Sequence, residues 1–130
     1  MKYLLDVNAL IAFGFPDHQF HARVRTWMRS ENLHPFLTCS ITELGFVRVL
    51  SQAPGYGYTV TEAKEVLLRL KADKTIPLAF VPDANDISRL PGWVKAPKQT
   101  RWGHLVELAA AHEAVLATLN GGIPGAYRIP

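Results

Sequence analysis

Short apolar runs alternate along this chain with segments whose apolar residues recur at helical spacing, and that alternation leaves few folds open. Tyr3–Val7, Phe36–Cys39, Ile76–Val81 and Val115–Leu119 read as strands. Between them, Ala9–Phe13 reads as a short helix stopped by Gly14 and Pro16, and His18–Ser30 as a helix with Phe20, Val24, Trp27 and Met28 on one stripe. Ile41–Leu50 is a third helix, ended by Pro54-Gly-Tyr-Gly. A fourth starts at Thr59 or Thr61 and runs to Ala72, with Thr59 and Glu62 as its capping box. Pro91–Gln99 is a loop, Arg101–Ala114 a fifth helix carrying Leu105, Leu108, Ala109 and His112, and Gly121–Gly125 a turn into a short edge strand at Tyr127–Ile129. Strands separated by helices pair through crossovers rather than tight turns. The pattern therefore predicts an α/β fold with a central parallel sheet covered on both faces, and such sheets collect ligands beyond the carboxyl ends of their strands.

A length of 130 residues with 48% hydrophobic and 19% charged side chains suits a single compact domain over residues 1–130. Cys39 is the one cysteine, so no internal disulfide forms, and no basic and apolar leader precedes Asp6; both point to the cytoplasm. No apolar run approaches the ~18 residues of a membrane span. The net charge of +3 is a modest attraction for polyanions. Arg23, Arg25 and Arg29 cluster on one helix, and Lys95, Lys98 and Arg101 lie among Trp93 and Trp102, a mixture of cations and stacking surfaces that suits single-stranded nucleic acid. Solvated faces are the plainer reading of both clusters.

Asp6 is the first functional candidate, because a carboxylate that closes a buried strand costs free energy unless something compensates it. Glu43 is the second. Ser40-Ile-Thr-Glu43 reads as a capping box, yet Phe46, Val47 and Leu50 continue the stripe on which Glu43 lies, which aims its side chain at a cleft. Two carboxylates at one sheet edge repel unless a cation joins them, and Mg²⁺ or Mn²⁺ is the natural hard-cation guest for oxygen donors. Metal-assisted phosphodiester hydrolysis is the corresponding chemistry.

Leu4-Leu-Asp6-Val-Asn8-Ala-Leu-Ile-Ala, Asp17-His-x-x-His21 ahead of the helix with Trp27, Glu43 on the next helix, and Ala117-Thr-Leu-Asn120-Gly together resemble PIN-domain proteins, and among those the VapC-type toxin ribonucleases. The resemblance spans nearly the whole chain. It implies a three-layer α/β/α fold, a divalent metal (Mg²⁺ or Mn²⁺), RNA cleavage, a VapB-like antitoxin partner and a homodimer. It makes Asp6 and Glu43 the acidic and catalytic ligands, with Asn8 beside the site. The family's third acid falls at Trp102, or Arg101 in a shifted register, and its fourth at Asn120. Of these, only Asn120 offers a metal an oxygen. Asp83 and Asp86, in the preceding loop, are the alternative acids. His104 is an alternative ligand or general base, and His18 with His21 a potential transition-metal pair. Two functions follow: a metal-dependent ribonuclease with a reduced acidic site, or a PIN-like module that binds RNA or an antitoxin-like partner without cutting.

Overall fold

A computed structural model describes residues 1–30 and 35–130. Five strands, β1 (Lys2–Leu5), β2 (Phe36–Thr38), β3 (Leu78–Phe80), β4 (Ala114–Thr118) and β5 (Tyr127–Arg128), form one sheet in the order β3-β2-β1-β4-β5. Every neighbouring pair is parallel, with Leu4 opposite Leu37 on one side and Leu116 on the other. The helices are α1 (Val7–Gly14), α2 (His21–Ser30), α3 (Ser40–Gln52), α4 (Val60–Ala72) and α5 (Thr100–Ala111).

Period-two alternation along the buried strands divides the core into two layers. Tyr3, Leu5, Phe36 and Ala117 face one side, where they pack with Leu10, Phe13, Val24, Trp27, Phe46 and Leu67 from α1 to α4. Leu4, Leu37, Ala114 and Leu116 face the other and pack with Leu105, Leu108 and Ala109 of α5. The expected three-layer α/β/α arrangement is thus present, with four helices on one face and one on the other. The aromatic rings of Tyr3, Trp27 and Phe36 pack together in the larger layer; Trp27 meets Tyr3 at 4.9 Å and Phe36 at 5.4 Å, both edge-on.

Several element limits differ from the sequence reading, each for a local reason. α1 begins directly after Asp6 rather than at Ala9, because Asp6 is its N-cap and accepts from the Val7 N–H at 2.8 Å. α2 starts at His21, since His18 bonds back onto the Phe20 N–H and holds residues 18–20 in a turn. α5 stops at Ala111, not Ala114. Its terminator is Glu113, a non-glycine residue at φ +56°, so the usual glycine stop signal is missing from the sequence. Within the expected 91–99 loop, Pro97–Gln99 forms a 3₁₀ turn leading into α5, and Ile87–Arg89 forms another just before that loop. The Thr59–Glu62 capping box on α4 is present in both directions.

Gly45 allows α3 to approach the start of α1: a Cβ there would lie 2.6 Å from Cγ2 of Val7. Gly45 is two residues past Glu43 and Val7 is one past Asp6, so this close approach sets the spacing of the elements that carry both acids. Gly45→Val should destabilise the fold by about 1–3 kcal/mol through overpacking, after a small offset from helix propensity. Urea unfolding measures it; a change within about 0.5 kcal/mol, the range of ordinary surface substitutions, would show that the helices part freely.

Candidate functional site: a carboxylate pair at the carboxyl edge

Asp6 and Glu43 both sit where strands of the sheet end, and a threonine from a neighbouring strand holds each. Asp6 is fully buried. Its Oδ1 is the α1 cap, and its Oδ2 accepts from the Thr118 hydroxyl at 3.1 Å across the β1–β4 pair. Thr118 Oγ1 in turn accepts from the Asn120 N–H at 3.1 Å, so one hydrogen-bonded chain links Asp6, Thr118 and the backbone of Asn120.

Glu43 is not a capping residue. The N-cap of α3 is Cys39, whose N–H donates to the Thr42 hydroxyl at 3.0 Å, so the helix begins one residue earlier than the Ser40–Glu43 box requires. Freed from that role, Glu43 Oε2 accepts from the Thr38 hydroxyl at 2.6 Å and from the Lys71 ammonium at 2.7 Å. Glu43 and Lys71 are 20% and 27% exposed, so the pair is shielded without being dry. Lys71 also stands over the Phe80 ring at 5.4 Å. Glu43 lines a cleft, as its stripe predicted, with Ser40, Leu44, Lys64 and Phe80 among its neighbours there. Lys71 gave no signal in sequence. It lies in the last turn of α4, where a basic residue ordinarily serves the helix dipole.

None of the other candidate side chains makes a hydrogen bond or ion pair to Asp6 or Glu43 among the described residues. Trp102 occupies the first turn of α5, and its indole N–H is shut off from solvent with no acceptor among the described residues. Asp83 pairs with His104 Nε2, and Asp86 caps the turn at Ser88, so each has a local partner. Burial pushes the Asp83 carboxyl up, but hydrogen bonds from His104 and the Asn85 N–H, with positive charge at His104 and His112, hold it below the ordinary aspartate range. His104 and His112 together tie the segment after β3 to α5, His112 through the Pro82 carbonyl at 2.9 Å. His18 and His21 do not share a helix face: His21 Nδ1 bonds the Ala12 carbonyl at 2.7 Å. Burial, and then His21, lower the His18 pKa.

The donor set does not fit a hard divalent cation. Both Asp6 oxygens are engaged and fully enclosed, an ammonium already neutralises Glu43, and the first turn of α5 offers an indole and a guanidinium instead of an acid. Among the described residues no group of three or more His, Cys, Asp or Glu side chains is placed to hold a metal. Among the same residues, no helix is long and apolar enough to cross a membrane.

No family model matches the chain. Individual proteins do, over nearly its full length. It is 34% identical to ribonuclease VapC44 of Mycobacterium tuberculosis, with 98% of this chain and 96% of that protein aligned. Ribonuclease VapC38 of the same organism is 33% identical over 92% of this chain and 86% of its own length, and ribonuclease VapC39 is 30% identical over 95% and 91%. With a parallel three-layer fold and two carboxylates at the expected sheet edge, the chain belongs to the VapC family of toxin ribonucleases.

Proposed function

We propose that this chain acts on RNA as the toxin half of a toxin–antitoxin pair, in the cytoplasm, with a VapB-like antitoxin as its protein partner and a second copy of itself as its dimer mate. The observation that carries this reading is the alignment with ribonuclease VapC44 over 98% of this chain. Asp6 and Glu43 are the carboxylates we assign to catalysis, with Asn120 beside them as the neutral oxygen donor. Mg²⁺ or Mn²⁺ binds weakly at best, because the donors are few and one is already paired.

One observation favours the second reading, in which RNA or an antitoxin-like partner is held without cutting. The Lys71 ammonium on Glu43 puts a protein cation where the hydrolytic reading needs a free carboxylate. The same pair lowers the negative charge open to a basic antitoxin side chain.

Cleavage and binding of RNA should be measured side by side, in Mg²⁺ and in EDTA, for the natural chain and for Asp6→Asn. Cleavage in Mg²⁺ that Asp6→Asn reduces at least a hundredfold would establish the hydrolytic reading, since removing a catalytic carboxylate costs rates of about that order or more. Binding without cleavage in any condition would establish the second. Absence of both would remove RNA from the account.

A further inference from the structure

A second groove, of about 490 Å³, opens between the start of α3, the 85–90 segment and the first turn of α5. Its walls combine two features that ordinarily exclude each other. Ile41, Ile87 and Leu90 make an apolar side, and Ile87 is 79% exposed. On the same groove, Asn85 Nδ2 and Arg101 Nε are both closed off from solvent with no hydrogen-bond acceptor among the described residues.

Two donors without acceptors beside one groove are costly, and turning the two side chains toward an acceptor-rich ligand in the groove removes the cost. Arg101 makes no ion pair among the described residues, so its guanidinium is uncommitted. The Asn85 side chain likewise has no bond to break before it turns toward a ligand. Asp86 also lines the groove; its Oδ1 accepts from the N–H and hydroxyl of Ser88, Asp83 is paired with His104, and neither acid forms an ion pair with Arg101 among the described residues. Through Nε2 the His104 ring is fixed on Asp83, and it lines the groove with Arg101. The groove also meets the N-terminal turn of α5, whose positive end adds to the attraction for an anion.

We propose that this groove takes one nucleotide of an RNA strand, its base against Ile41, Ile87 and Leu90 and its phosphate on Arg101, with Asn85 donating to a base or sugar oxygen. The amphipathic lining matches a nucleotide better than a bare anion, which has no use for the apolar wall. Lys95 and Lys98, on the chain leading into α5, extend the positive charge along the path of the strand. The proposal rests on the reading that the chain engages RNA, and it holds whether or not that RNA is cut.

The test uses the full chain with adenosine 5′-monophosphate, adenosine and inorganic phosphate in turn, followed by amide NMR shifts, and a fluorescent twelve-nucleotide oligoadenylate followed by anisotropy. The mononucleotide should shift Asn85, Arg101 and His104, with adenosine and phosphate each doing so more weakly. Arg101→Gln and Asn85→Ala should each weaken the oligonucleotide by about tenfold, and Arg101→Gln should also lower the salt slope by about one. Lys74→Gln, on the far loop before β3, should stay within about twofold of the natural chain, as expected for a lost long-range charge screened by salt. Phosphate shifting the groove as strongly as the nucleotide would reduce it to an ion site and overturn the proposal. So would oligonucleotide binding that both groove variants leave unchanged, and in that case the RNA reading survives. Unmoved groove resonances with the mononucleotide overturn it as well, whatever the oligonucleotide does.

Discussion

Thr118→Val is expected to lower the stability of the fold by about 2–4 kcal/mol although the two side chains have nearly the same shape. Asp6 is fully buried, and the Thr118 hydroxyl is the donor that satisfies its Oδ2; valine leaves that oxygen facing carbon. The same substitution removes the acceptor of the Asn120 N–H, so two polar groups lose partners at once. Thr38→Val is the matched control. Glu43 loses a hydroxyl there too, but it keeps Lys71 and some solvent, and the expected cost is about 1 kcal/mol. Denaturant unfolding of the two variants gives the comparison, and equal losses would mean that Asp6 is not held through Thr118.

The second large effect concerns the metal. Titrated with Mn²⁺, the natural chain should show no stoichiometric site, whereas Lys71→Met combined with Trp102→Asp and Asn120→Asp should create one. Each change alters a unit charge near Glu43 or at the positions where the family resemblance places acids. Unit charges 4 Å apart interact by about 1 kcal/mol in water and about 4 kcal/mol at an effective dielectric of 20. Three such changes acting together should tighten divalent binding on the order of a thousandfold or more. Trp102→Asp with Asn120→Asp alone should gain less, because the Lys71 ammonium still opposes the ion. A natural chain that binds one Mn²⁺ through Glu43 would show that its donor set does fit a divalent cation, and a triple variant that gains nothing would mean that the site has been remodelled beyond these three residues.

The sheet could be read from the sequence because each strand is a short run of large apolar residues and each crossover carries a helical stripe. Both periods are local, and Leu4 beside Leu5 already implies a strand buried on two faces. Helix ends were less legible: Glu113 ends α5 in a backbone conformation that a sequence reader expects of glycine. Capping was legible at Thr59, where Glu62 three residues on completes the box, and misleading at Ser40, where Cys39 and Thr42 formed the cap one residue earlier.

Asp6 and Glu43 could be nominated from sequence because acids next to apolar runs are costly and therefore conspicuous. The loss of an acid at Trp102 was equally visible, since a residue type is a local fact. What holds each carboxylate was not visible. Thr118 is remote in sequence from Asp6 and Lys71 from Glu43, and each pair meets only because the parallel register and the packing of α4 on α3 bring the partners together. The orphaned donors of Asn85 and Arg101 are likewise a property of the assembled groove. Periodicity made the fold legible before folding, and the cost of burying charge singled out Asp6 and Glu43. Which groups hold those acids, and where donors are left unpaired, follows from the folded chain alone, because hydrogen bonds and ion pairs act over about 3 Å and link residues that the chain order keeps far apart.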